Sequence, residues 1–151
     1  MHGQPTLLVS LVTHQPTRVL TQWAALPHEH ERRAVARLLA DRDLTGLVIT
    51  LDAGLAHPSL AAQIVQQGGH YLMVVKRNQA RLPEALTWYF DMPPCACGRP
   101  WQHCTTVSKG HGRIKQRWLI CTDDLDGYLT WPGVQHVLRR DCERRMPRMA
   151  R

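Results

Sequence analysis

The chain has 151 residues, 44% of them apolar, with Arg far outnumbering Lys and a formal charge of +7. That length can bury one domain's core, and no apolar run approaches the roughly 20 residues of a membrane span. The start, MHGQPTLLVS, lacks the basic segment and long apolar core of a signal peptide. Five cysteines, an odd number, read as free thiols of a reducing compartment.

Thr6 to Val12 is predicted to be a strand, His14 to Thr17 a turn, and Arg18 to Trp23 a returning strand, which together make a hairpin. Pro27 to Ala40 carries apolar residues Ala34, Val35, Leu38 and Leu39 at helical spacing. His28, Glu29, His30 and Glu31 crowd the expected first turn. The two carboxylates fit the positive end of the helix dipole, whereas alternate residues of a helix diverge and do not grip one metal ion. From Gly46 the chain reads GLVITLDAGLAHPSLAAQIVQQGGHYLMVVKRNQ. A β-branched apolar run, Leu47 to Leu51, ends at Asp52. A helix follows from Ser59 to Gln67 with Leu60, Ala61, Ile64 and Val65 on its buried side, then Gly68-Gly69 and a second run, Tyr71 to Val75. Strand, helix and strand of these lengths predict a parallel βαβ unit.

Leu82 to Phe90 is predicted to be a helix with Leu86 and Phe90 as its buried stripe. Asp91 to His103 reads as a loop. Its Cys95 and Cys97, with His103 and Cys104, lack the paired C-x-x-C knuckles of structural zinc. Cys104 to Ser108 and Arg117 to Cys121 read as strands flanking Lys109-Gly110-His111-Gly112-Arg113-Ile114-Lys115, a basic, glycine-containing turn able to touch phosphate. Another strand is expected from Val134 to Arg139. The basic tail 141–151, DCERRMPRMAR, loses the apolar period and reads as disordered.

Chemistry in open α/β sheets sits at the carboxyl ends of the strands, where Asp52 and Lys76 fall. An Asp after a strand also commonly caps the next helix, and Lys76 alone would be a solvated strand end. The pair could also suggest a restriction-type nuclease. That chemistry needs an acid two residues before its lysine, and Val74 stands there.

The wording of the whole stretch resembles the insertion-sequence DDE transposases of the H-repeat-associated (ISAs-type) group. The resemblance rests on Asp52-Ala53, Gly68-Gly69 and Lys76-Arg77-Asn78-Gln79, and on the Lys109-to-Ile114 motif before Arg117, with Lys115 where the family has glutamate. It covers about Thr6 to Arg140. It implies an α/β fold, a partial ribonuclease-H-like mixed sheet with flanking helices, and the βαβ pattern predicts Asp52 at the carboxyl end of a central parallel strand. It implies DNA transposition by two-metal phosphoryl transfer on insertion-sequence ends, with Mg2+ as cofactor and Asp52 as one of three metal-binding carboxylates. It further implies a bacterial cytoplasmic, nucleoid-associated protein, with Lys76, Asn78, Gln79, His111, Arg113, Lys115 and Arg117 as candidate DNA contacts. The family's first aspartate, in an Asp-Gly-Lys setting, and its downstream glutamate have no counterpart in these residues. The expectation is therefore a chain truncated at both ends, inactive alone and prone to self-association. The rival is a non-catalytic, basic nucleic-acid-binding module.

Overall fold

Alternating apolar residues near the start make the expected hairpin. In the computed structural model, which describes residues 7–76, 82–91, 101–110, 113–123 and 129–145, strand β1 (Leu8–Thr13) pairs antiparallel with β2 (Arg18–Ala24). The described residues form three helices and three sheets, a mixed α/β architecture. They divide into two compact units, Met1–Gln79 with Trp131–Gly133, and Ala80–Thr130 with Val134–Arg151.

In the first unit, helix α1 (Glu31–Leu39) buries Ala34, Val35, Leu38 and Leu39, the four residues its period selects. It begins four residues later than its sequence suggests. His28 adopts φ +62°, and the Glu29 carboxylate turns back to accept the Leu26 N–H at 2.8 Å. The same carboxylate pairs with Arg37 at 3.1 Å, and the Arg37 guanidinium lies 5.0 Å from the centre of the Trp23 ring. Glu29 therefore joins hairpin to helix and is not in the first turn, where Glu31 stands alone.

Strand β3 (Val48–Leu51), helix α2 (Pro58–Gln66) and strand β4 (His70–Met73) form the βαβ unit. The strands are parallel, in register from Val48↔His70 to Leu51↔Met73. Pro58 suits the first helical turn because its missing N–H would have no partner there. Gln63 of α2 and Gln67, which caps its C-terminus, hydrogen-bond to α1, Gln63 to the Ala36 carbonyl at 2.8 Å and Gln67 to the Leu39 carbonyl at 2.7 Å. Leu60, Ala61 and Ile64 are buried, but Val65 is 41% exposed. Val65 follows Ile64 by about 100° of helix, and it lies beside Gly133. The core unites Val9 of β1, Ile49 and Leu51 of β3, and the inward faces of both helices.

The sheet differs from the expected single mixed one. β1 pairs with β2, β3 with β4, and β5, β6 and β7 form a separate sheet. Asp52 therefore does not follow a central strand, since β3 has β4 as its one partner among the described residues. A central position needs a strand on each side, and these residues supply one.

The second unit holds helix α3 (Leu82–Asp91) and an antiparallel sheet of β5 (Gln102–Gly110), β6 (Arg113–Thr122) and β7 (Val137–Arg145). Phe90 of α3 is buried and meets Trp101 edge-on at 5.6 Å. His103 lies inside β5, not in a loop. β7 starts three residues later than expected and runs five residues into the presumed disordered tail. A ladder satisfies backbone groups whatever the side chains carry, and here each acid of one face has a basic neighbour two residues away. Arg139 pairs with Asp141 at 3.1 Å and Arg145 with Glu143 at 2.7 Å. Residues 146–151 lie outside the described residues.

Candidate functional site

Asp52 follows the last residue of β3, and the alternation of the strand fixes its direction. Ile49 and Leu51 are buried, Val48, Thr50 and Asp52 exposed. The helices therefore cover one face of β3–β4, and Asp52 belongs to the other. Its Oδ1 accepts the N–H of Gly54 at 3.1 Å, and its carbonyl accepts the Leu55 N–H at 3.2 Å. This Asx-type turn leads the chain toward α2. The cap of α2 is His57, whose Nδ1 accepts the Ser59 N–H at 3.3 Å. The capping alternative weighed for Asp52 is thus filled by another residue, which leaves most of its carboxylate's acceptor capacity to solvent.

The ladder continues one step past β4, with the Val74 N–H donating to the Leu51 carbonyl at 3.1 Å. This brings Asp52 level with Val74. Lys76, two residues on, is exposed and about 7 Å further along the strand direction. One carboxylate and one ammonium therefore stand beyond the carboxyl ends of adjacent parallel strands. Sequence reasoning missed a third group. Nε2 of His14, in the hairpin turn, lies 2.8 Å from the Thr50 hydroxyl, which is two residues before Asp52 on the same open face. Asn78 and Gln79 lie outside the described residues.

Among the described residues no group of three or more His, Cys, Asp or Glu side chains could hold a metal. Two magnesium ions need several hard oxygen ligands, so this donor set does not fit the pair of ions the resemblance implies.

Arg113, Lys115 and Arg117 alternate along β6 and share one face of the second unit's sheet. Arg117 donates to the Ser108 hydroxyl at 3.1 Å. His111 lies outside the described residues. The described cysteines, Cys104, Cys121 and Cys142, are free thiols. On the opposite face, the Asp91 carboxylate accepts from Arg139 at 2.7 Å and, with Asp141, raises the guanidinium pKa above its ordinary value. The hydrogen bond from Arg145 holds the Glu143 carboxyl below its usual range.

Comparison with known proteins gives these positions a context. The chain is 30% identical over 121 residues to an uncharacterized protein in the dhlA 3′ region of Xanthobacter autotrophicus, covering 78% of this chain and 40% of that protein. It is 30% identical over 135 residues to the "H repeat-associated putative transposase YhhI" of Escherichia coli K12, covering 86% and 35% of the two chains. It is 32% identical over 117 residues to the "H repeat-associated putative transposase YbfD" of the same strain, covering 77% and 46%. The chain is similar to transposases. It spans less than half the length of the curated relatives it matches. No family model and no solved structure matches it. No helix among the described residues is long and apolar enough to cross a membrane.

Proposed function

We propose that these residues are part of a DDE-type transposase catalytic domain, with Asp52 as one of its metal-binding carboxylates and DNA as its substrate. The observation that carries this reading is the position of Asp52. It is an exposed carboxylate just past a parallel strand of a βαβ unit, inside a stretch similar to relatives named as transposases. A ribonuclease-H-like architecture belongs to the same proposal, since hairpin, helix, strand, helix and strand follow in the order it uses. In a complete site Asp52 would help to hold metal ions, which would supply Lewis-acid activation for phosphoryl transfer.

These residues alone do not assemble that site. Asp52 contributes one carboxylate on a fixed turn, and Lys76 contributes a positive charge beyond the neighbouring strand, suited to a DNA phosphate. The two further carboxylates must come from segments with no counterpart in the described residues. The expected outcome is therefore that these residues by themselves neither cleave nor join DNA. The transposase reading is tested on the surrounding DNA, translated in every frame. An Asp-Gly-Lys segment upstream and a Trp- and Glu-bearing helix downstream are expected, and the absence of both would overturn it. Inactivity is tested by incubating the purified chain with supercoiled plasmid and Mg2+ or Mn2+. Metal-dependent nicking that disappears in Asp52→Asn would contradict it.

A further inference from the structure

The register of the three-stranded sheet sorts its charges by face. Directly opposed residues of antiparallel strands point the same way, as do alternate residues of one strand. One face therefore carries Arg113, Lys115 and Arg117 of β6 and, through the pairings Lys115↔Arg144 and Leu119↔Arg140, two arginines of β7. No Asp or Glu of these three strands falls on it. Asp141 and Glu143 both take the other face, opposite Trp118 and Gln116, where they pair with Arg139 and Arg145. Arg113, Arg140 and Arg144 are exposed, and Lys115 and Arg117 half-buried.

A sheet face that is merely solvated would mix its charges. Here two cations, Lys115 and Arg144, stand directly opposite each other, an arrangement that destabilises a strand pair. A bound polyanion removes that repulsion. On β7 the basic face is also the open one. Leu138, Arg140, Cys142 and Arg144 are exposed, whereas Val137 is buried and Arg139 is held by Asp91 of α3.

We propose that this face is a docking surface for the phosphate backbone of duplex DNA. Arg113 to Arg117 and Arg140 to Arg144 each span about 13 Å of strand, and duplex DNA presents a phosphate charge about every 1.7 Å of its axis. Single-stranded nucleic acid is typically held by aromatic side chains on which bases stack. This face has none, and Trp118 points to the other side. The choice of DNA among polyanions rests on the transposase reading above, whereas the charge arrangement does not.

The test measures binding of the whole chain to a short labelled duplex across a salt series, in EDTA. Two charge-matched double variants are compared, Arg140→Gln with Arg144→Gln on the basic face, and Lys109→Gln with Arg145→Gln on the other. The first is expected to weaken binding about tenfold or more at low salt and to flatten the salt slope by about 2. The second should change affinity less than about threefold. Arg140→Lys with Arg144→Lys should retain most of the binding, which separates lost charge from lost fold. Equal losses in the two Gln variants, no loss in either, or a single strand displacing the duplex would each overturn the assignment. Because EDTA silences metal chemistry and Asp52 lies in the other unit, this failure is distinct from failure of the transposase reading.

Discussion

Two glycines of the first unit separate two reasons why a position requires glycine. Gly46 has φ +73° and nothing within 4 Å of where a Cβ would stand. Gly69, between α2 and β4, is limited by contact. A Cβ there would meet Leu44 Cβ at 2.8 Å, Ile64 Cγ2 at 3.1 Å and the Leu44 carbonyl oxygen at 3.2 Å. Leu44 and Ile64 are among the largest fully buried side chains, and none of these three atoms is the free end of a flexible side chain. Gly46→Ala costs about 1–2 kcal/mol for the left-handed backbone, offset by about 0.4–1 kcal/mol of lost unfolded-state freedom. Gly69→Ala costs about 1–3 kcal/mol as overpacking, with the same offset.

The two alanine variants therefore look alike, and asparagine tells them apart. Asn tolerates the left-handed region, so Gly46→Asn should recover most of the stability lost in Gly46→Ala. At Gly69 the larger side chain deepens the clash, so Gly69→Asn should be less stable than Gly69→Ala. Thermal and urea melts check the order. For a cooperative unit of the first unit's size, Met1–Gln79 with Trp131–Gly133, 1 kcal/mol corresponds to roughly 4–8 °C in Tm. Gly69→Ala should also disturb the β3–β4 register, because its N–H donates to the Ile64 carbonyl at 2.9 Å just before β4. A neutral Gly69→Ala, or asparagine outperforming alanine at Gly69, would refute the reasoning.

Tyr71 donates to the Pro132 carbonyl at 2.7 Å, and burial pushes its pKa up to about 12. With the folded value above the ordinary one near 10, its contribution to stability is complete below about pH 10 and is lost as pH rises toward 12. A tyrosinate absorbance step near pH 12 should be missing from Tyr71→Phe, whose alkaline unfolding should also be shallower over that window. Asp91→Asn removes an exposed partner of Arg139 that still keeps Asp141, so its stability should change by less than about 1 kcal/mol in a urea melt.

The βαβ unit was legible because local chemistry and tertiary role agree. The β-branched run before Asp52 can be little but a strand, and Gly68-Gly69 marks the turn into the next one. The start of α1 was not legible, because Glu29 and Glu31 look equally like first-turn acids. Only the folded chain brings Arg37 back to Glu29. The end of β7 misled for the opposite reason. Charge density suggested disorder, yet the ladder to β6 pairs this segment's backbone whatever its side chains carry. Arg140 and Arg144 could not be grouped with Arg113, Lys115 and Arg117 from sequence, because the grouping depends on strand register. The His14–Thr50 contact spans 36 positions and has no local signature.

The divided sheet carries the last prediction. Two-stranded sheets are marginal in water by themselves, and the first unit holds two, each with an unpaired edge among the described residues. The face of β3–β4 away from the helices carries exposed apolar side chains as well, with Val48 at 59% and Leu72 at 49% exposure. Val12 and Val19, opposite each other in the hairpin, are also exposed. An open strand edge beside apolar surface is a template for pairing with another chain. Each buried backbone group left unpaired costs about 1–3 kcal/mol, against a whole-domain stability of about 5–15 kcal/mol. A few such groups consume most of it. The chain should therefore associate as concentration rises, seen by light scattering after gel filtration, and unfold over a broad range. A monomer with a sharp transition above roughly 65 °C, the upper end of ordinary mesophile domains, would refute this. It would mean that two separate strand pairs on one helical layer form a complete domain.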